Sequence, residues 1–325
     1  MAPFGKKIIE QLHIHTNLES LLVGSVSIGG LLGCVVSAKV ADRIGRKLAI
    51  GISFGFISTG WFIVTCSSNV SMILVGRILH GLGEGSVVAV GIIYLGETIE
   101  EKYRGGAIAS VTVTCIFGIA FAYALGLVLP WRLCSGCITG LNIICLLGST
   151  ALRESSHWQN MQEELKQNAQ SSNRENKPSS AKNTIISTCV PPFLLFLCPI
   201  TGVYSIGFYA ISLMDSMSVG QPAVVAIGVG LVRTLGSACG SVIVQKYGRR
   251  KTLLFSSIPA TMLLFSVSTL LYLQSSLPPM VHSLSLVSLL VMVMFSNSVG
   301  MTPVPWILCG EWPDTQYKVR EGLAF

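Results

Sequence analysis

Long apolar runs, each about the length of a membrane crossing, alternate with short polar links along the whole chain. A helix needs about 20 consecutive apolar residues to cross a bilayer. Nine stretches reach that length, near 20–39, 48–66, 71–95, 105–129, 132–151, 186–211, 221–244, 252–273 and 281–309. Backbone polar groups in hydrocarbon must bond within their own segment or a closed barrel. Runs this long are too long for barrel strands, so the pattern predicts an all-α, polytopic membrane bundle. The first run carries Gly24, Gly29, Gly30 and Gly33, which suits close approach of helices in lipid. The longest polar stretch, 153–183, divides five spans from four. Within it Ser156 to Gln170 reads as a surface helix, and the Ser, Asn and Pro content of 171–180 reads as linker. The expected division is therefore an N-terminal bundle (1–152), a connecting segment (153–183) and a C-terminal bundle (184–325).

One link occurs twice. Ala41-Asp42-Arg43-Ile44-Gly45-Arg46-Lys47 returns as Val244-Gln245-Lys246-Tyr247-Gly248-Arg249-Arg250, each copy set between two apolar runs. Clustered arginine and lysine cannot enter hydrocarbon, so both copies are expected on the same side of the bilayer. Gly45 and Gly248 would take the turn, where a residue without Cβ bends cheaply. A link repeated at matching places in two halves of a membrane chain points to a transporter built by duplication. Most of the 22 Lys and Arg lie in the links after the first, third, fifth, seventh and ninth spans. By the positive-inside rule these links face the cytoplasm and the N-terminus lies outside.

Composition narrows the class further. Hydrophobic residues make up 51% and charged residues 11% of 325 positions, where soluble domains run near a quarter charged. The net charge of +7 comes from inter-span links, so it argues for topology rather than nucleic-acid binding. No apolar stretch follows Lys6 and Lys7 within the first fifteen residues, so the start lacks a signal-peptide layout. Most of the ten cysteines fall in or beside spans, where cysteine behaves as a small hydrophobe. Cys134 and Cys137 form a C-x-x-C without the βαβ context of a redox motif. No G-x-x-x-x-G-K-[ST] occurs, so no nucleotide site is visible; a transporter makes and breaks no bond, so neither enzyme activity nor a cofactor is expected.

At several points the chain resembles the sugar porters of the major facilitator superfamily. Asp42-Arg43-Ile44-Gly45-Arg46-Lys47 is similar to the family's D-R-x-G-R-[RK] link. Gly76-Arg77, Gly81, Gly83 and Gly85, followed by Tyr94, Glu97 and Arg104-Gly105, follow its fourth span and exit. Glu154-Ser155 with Trp158 resembles P-E-S-P-R-W, and Thr201-Gly202 resembles the S-G of the seventh span. Gly248-Arg249-Arg250 repeats the link, and Pro303-Val304-Pro305-Trp306 with Gly310-Glu311 resembles the P-I-P-W and S-E of the tenth. Tyr204 after Thr201-Gly202 looks most like the insect hexose and trehalose facilitators. Each motif alone is weak; together, in order and at the family's spacing, they are specific. The resemblance implies twelve spans in the family, of which the first, eleventh and twelfth have no counterpart here, so a fragment or short form is expected.

The same resemblance implies a plasma-membrane carrier that moves hexose or a disaccharide such as trehalose by alternating access, as a facilitator ahead of an ion-coupled carrier. Ion pairs at the cytoplasmic links would hold one state: Asp42, Arg43, Arg46, Glu97 and Arg104 in the first half, Arg249, Arg250, Glu311 and Arg320 in the second. Gln245 replaces the acid in the second copy, which weakens that half of the expectation. Cargo contacts would come from Thr201, Tyr204, Ser205, Phe208 and Ser212, which recur on one stripe of a helix, and from the rings of Tyr204, Tyr209 and Trp306. Helix packing explains the same stripe equally well. Glutamines that the family uses for sugar align with Cys198, Pro199 and Thr112, and an acid of its tenth span aligns with Ser298. Arg233 stands where the family has asparagine; a mid-bilayer charge costs about 2.5 kcal/mol or more unless it is partnered. An anion or organic-acid carrier on the same fold, or a sugar sensor or inactive relative that does not transport, are the competing readings. His80 and Glu84, one turn apart in the third span, form a candidate proton site or a structural hydrogen bond. The expected partners are sugar and lipid; the oligomeric state is left open.

Overall fold

A computed structural model describes residues 16–170, 222–273 and 278–310, together with 193, 195, 197, 198, 200–202 and 206. The described residues form nine α-helices and no strands. They are α1 (Thr16–Ile44), α2 (Arg46–Thr65), α3 (Val70–Thr98), α4 (Glu101–Val128), α5 (Trp131–Ser149), α6 (Ser156–Gln170), α7 (Pro222–Tyr247), α8 (Arg249–Tyr272) and α9 (Pro279–Val299). After a turn at 300–302 the chain is helical again over 303–310. Eight stretches among the described residues are long and apolar enough to cross a membrane, the last running Leu284–Gly310. The ninth expected span, 186–211, lies almost wholly outside the described residues. Many large apolar side chains on these helices stay exposed, Leu31, Phe265 and Leu284 among them, as lipid-facing positions do.

By contact the chain falls into two compact units. The first comprises 3–99 and 128–178, the second 100–127 and 179–325. In the first unit α1 and α2 both pack on α3, and α2 also packs on α5. The α1–α3 seam is made of glycine. A Cβ on Gly29 or Gly33 would land on the Ile78 or Leu82 carbonyl, and one on Gly81 or Gly85 on the Val26 or Gly30 carbonyl. Both pairs sit four residues apart, the small-xxx-small spacing that lets backbones touch in lipid. Ala41, Ala49, Ile50 and Val90 make the buried cluster where α1, α2 and α3 meet.

The second unit repeats this order of packing, with α7 and α8 both on α9. Gly236 and Gly240 of α7 lie against Phe295 and Val299 of α9. Helix α4 belongs to this unit: Tyr123 packs on Ala226 of α7, and Gly230 of α7 leaves room only for Ala120. Leu286 and Leu290 of α9 form a second cluster with Val225, Val267 and Ile206 around them.

The two basic links are shorter than their sequence suggests. Helix α1 runs on to Ile44 and α2 starts at Arg46, so Gly45 alone separates them, and Gly248 alone separates α7 from α8. Gly45 has φ 98° and ψ 157°, and Gly248 has φ 82° and ψ 166°. Both values fall in a region that only glycine occupies without strain. In both copies the glycine N–H donates to the carbonyl four residues back, Ala41 at 3.1 Å and Val244 at 3.0 Å. Its own carbonyl accepts from the residue four ahead, Ala49 and Thr252. The duplication read from the sequence is therefore a duplication of backbone geometry.

Candidate functional site

The first basic link closes on a buried ion-pair cluster, all within the first unit. Arg46 is 5% exposed, and its guanidinium spends every face on acceptors. Nη2 and Nε donate to Glu97 at 2.9 and 3.1 Å, and Nη1 donates to Asp42 Oδ1 at 2.8 Å and to the Ala41 carbonyl at 3.0 Å. Glu97 is as buried as its partner, with 8% of its side chain exposed. A charge taken this far from water is tolerated only when it is paired and hydrogen-bonded. The planar fork of arginine sets Nε and Nη2 side by side on the Glu97 carboxylate while Nη1 reaches Asp42 and the Ala41 carbonyl, a geometry that the point charge of lysine does not reproduce.

A third carboxylate, Glu154, completes the cluster from the far end of the α5 span. It accepts from the backbone N–H of Arg46 at 2.8 Å and of Lys47 at 3.2 Å, and from Ser155 N–H at 3.1 Å. The Arg46 and Lys47 amides are free donors of the first turn of α2, where a negative charge also meets the positive end of the helix dipole. Gly45 makes room for it, since a Cβ there would land on Glu154 Oε2. Ser155 then caps α6 by accepting from Trp158 N–H at 3.3 Å. Helix α6 is thereby aimed back at the link. Trp158 Nε1 and Gln162 Nε2 donate to the Asp42 carbonyl at 2.9 and 3.0 Å, and Tyr94 Oη donates to the Arg153 carbonyl at 2.8 Å. His157 Nδ1 stands 3.8 Å from Glu97 Oε1.

Of the expected gate residues, Asp42, Arg46 and Glu97 are brought together, while Arg43 is exposed outside the cluster. Arg104 is buried at the start of α4, in the second unit. Arg249, the counterpart of Arg46, and Arg250 are exposed. Glu311 and Arg320 lie outside the described residues. The cluster also holds Glu154, His157, Trp158 and Gln162, which were not among the expected gate residues. The motif containing Glu154 was visible, but nothing local says that it caps a helix more than a hundred positions earlier.

The expected cargo residues are scattered differently. Thr112 on α4 and Arg233 on α7 are buried. Ser298 is fully buried and donates to the Met294 carbonyl of its own helix at 2.8 Å. Thr201 donates to the Cys198 carbonyl at 2.7 Å. Trp306 is half-buried on the helical segment 303–310. Tyr204, Ser205, Phe208, Tyr209 and Ser212 lie outside the described residues. His80 Nδ1 and Glu84 Oε2 approach to 4.0 Å. They belong to a larger set, since Arg77 stacks on the Trp61 ring at 5.0 Å and His80 meets the same ring edge-on at 5.1 Å.

Two helices leading into and out of a glycine turn, repeated, with a charge cluster on the first turn, define a carrier-type membrane bundle. The chain matches the family described as Major Facilitator Superfamily over residues 2–310, and it belongs to that superfamily. Its members are carriers rather than enzymes, and the chain is a multi-pass membrane protein. It is 28% identical over 330 residues to sugar transporter ERD6-like 6 of Arabidopsis thaliana, covering 90% of this chain and 67% of that one. It is 26% identical over 328 residues to the facilitated trehalose transporter Tret1 of Apis mellifera ligustica, covering 90% of this chain and 64% of that one. The chain thus spans about two thirds of the length of these relatives. Among solved structures it superposes on the proton:xylose symporter XylE bound to 6-bromo-6-deoxy-D-glucose with a TM-score of 0.72 at 14% identity, covering 98% of this chain and 82% of that one. XylE is a protein of E. coli.

Proposed function

We propose that this chain carries sugar, a hexose or a disaccharide such as trehalose, across the plasma membrane by alternating access and without ion coupling. The cargo rests on relatives that are named as sugar transporters and match about nine tenths of the chain. The mechanism rests on one observation, the buried pairing of Arg46 with Glu97 at the first basic link, which the exposed Asp42 extends to the surface. A buried ion pair contributes little net stability yet holds one geometry firmly. A few kcal/mol of cargo binding is enough to shift such a two-state balance. In this reading the bundles 1–152 and 184–325, joined by 153–183, are the bodies that move. Asp42, Arg43, Arg46, Glu97 and Arg104 latch the first, and Arg249, Arg250, Glu311 and Arg320 the second. Thr112, Thr201, Tyr204, Ser205, Tyr209, Arg233, Ser298 and Trp306 face the cargo.

The test is counterflow in liposomes containing the purified chain, with labelled glucose and trehalose offered in turn. Saturable exchange of one sugar, unchanged by an imposed pH gradient, is the expected result. Exchange that follows the pH gradient and is lost in Glu84→Gln would move the reading to proton coupling through His80 and Glu84. Binding without exchange would make the chain a sensor, and neither would make it inactive. Burial of Arg233 favours a second reading, an anion or organic-acid carrier. On that reading lactate or succinate exchanges instead of sugar, and Arg233→Asn abolishes the exchange.

A further inference from the structure

The break in the last described span has a keeper on another helix. Helix α9 ends at Val299, turns at 300–302 and resumes at 303, where Pro303 and Pro305 bring no N–H. Breaking a helix inside a membrane frees backbone groups that lipid cannot satisfy. Thr302 N–H finds the Asn297 carbonyl at 3.1 Å, and Val304 N–H finds Gly300 at 3.0 Å. The N–H of Met301 instead donates to Ser256 Oγ of α8 at 3.1 Å. The same hydroxyl donates to the Ser296 carbonyl at 2.6 Å, so both of its roles are spent on α9, one on each side of the break. The Met301 carbonyl accepts from Cys198 Sγ at 3.4 Å. Gly300 fits against this clamp because it has no side chain: a Cβ there would lie 2.6 Å from Ser256 Cβ and 2.6 Å from the Thr252 carbonyl.

We propose that Ser256 is a positioning residue for the break, acting through the Met301 amide to set where the segment 303–310, with Trp306, leaves the axis of α9. A serine hydroxyl that caps a freed amide stands in for the lost turn of helix. Without it the amide must either re-form an α-helical bond, which straightens the span, or stay unbonded in an apolar interior. The role deepens the carrier reading, because Trp306 is one of its cargo contacts, but the test does not depend on any cargo.

Hydrogen exchange of the full chain in lipid nanodiscs reads it directly, on peptides covering Met301 and Thr302. Ser256→Ala is expected to alter the exchange rate of the Met301 amide by about fivefold or more, the scale of losing one buried hydrogen bond. Faster exchange means the amide is left open, and slower exchange means the break has re-formed as helix. Ser296→Ala is the control. Its hydroxyl donates to the Ser256 carbonyl at 3.0 Å, tying the same two helices without touching Met301. It is expected to leave the Met301 amide unchanged. If Ser256→Ala leaves the Met301 rate as it was, or if both variants alter it alike, Ser256 is only helix packing and the proposal falls. If Ser256→Ala fails to fold, Ser256→Cys, which keeps a weaker acceptor, is expected to show an intermediate change, and no change there overturns the proposal equally.

Discussion

Gly45 and Gly248 share a backbone but not a neighbour, so alanine at each should separate two physical costs. At either position the L-residue enters a region reserved for glycine, at a cost of about 1–3 kcal/mol. Around Gly248 a Cβ would meet nothing within 4 Å, and the backbone cost is the whole effect. At Gly45 the Cβ collides with the Glu154 carboxylate, which accepts from Arg46, Lys47 and Ser155 amides at 2.8, 3.2 and 3.1 Å. Losing even one such bond to a charged group adds about 1.5–3 kcal/mol. Gly45→Ala should therefore cost about 2.5–6 kcal/mol against about 1–3 for Gly248→Ala. The assay is reversible unfolding in mixed dodecyl maltoside and SDS micelles, followed by tryptophan fluorescence. A cycle with Glu154→Ala isolates the collision: on that background Gly45→Ala should cost no more than Gly248→Ala does. Equal costs for the two glycines, or a Gly45→Ala cost that Glu154→Ala does not reduce, would refute the account of Glu154 as the cap of α2.

Further outcomes follow from the charge cluster and from the break of α9. Arg46→Ala strands the buried Glu97 carboxylate and should cost about 3–5 kcal/mol in the same unfolding assay, partly recovered by adding Glu97→Gln. At the second link Arg250→Ala, on an exposed side chain, should change stability by no more than about 0.5 kcal/mol. Gly300→Ala pushes a Cβ into the Thr252 carbonyl and Ser256, and should cost about 1–3 kcal/mol of stability by overpacking. Methionine-region peptides of that variant in hydrogen exchange should lose protection around 300–302 while α2 keeps its own.

What could be read from the sequence follows from what lipid imposes. Spans had to be apolar and about 20 residues long, so their number and rough places were visible without any fold. Their ends were not. Asp42, Arg43 and Ile44 looked like part of a loop because they belong to a charged link, yet they continue α1, since a helix leaving hydrocarbon has no reason to stop before Gly45. The charge cluster was half legible. Asp42 and Arg46 stand four residues apart, and Glu97 belongs to a recognisable motif, but the capping by Glu154 depends on the approach of the α5–α6 connection to α2. Ser256 carried no signal at all. It is one serine in a helix with several, and only the break of α9 opposite gives its hydroxyl something to do. The grouping of α4 with the second unit was likewise invisible, because it arises from Ala120 fitting Gly230.

The two halves differ in a way that separates scaffold from device. Features that serve packing recur at matching places. Gly33 and Gly236 sit in the close seams of α1 on α3 and of α7 on α9, and Gly45 and Gly248 take the same glycine-only turn. Ser53 and Ser256 both stand where a glycine of the facing helix comes in, Gly83 in one unit and Gly300 in the other. The charges do not recur in the same sense. Asp42 becomes Gln245, and the buried Arg46 becomes the exposed Arg249. Nor does the use of the shared serine: Ser53 returns its hydroxyl to the Ala49 carbonyl of its own helix, whereas Ser256 spends it on the broken α9. Packing in lipid constrains both copies equally, so packing alone would have kept them alike. The divergence therefore points to separate tasks, with a charge cluster at the link of the first unit and a clamped helix break in the second.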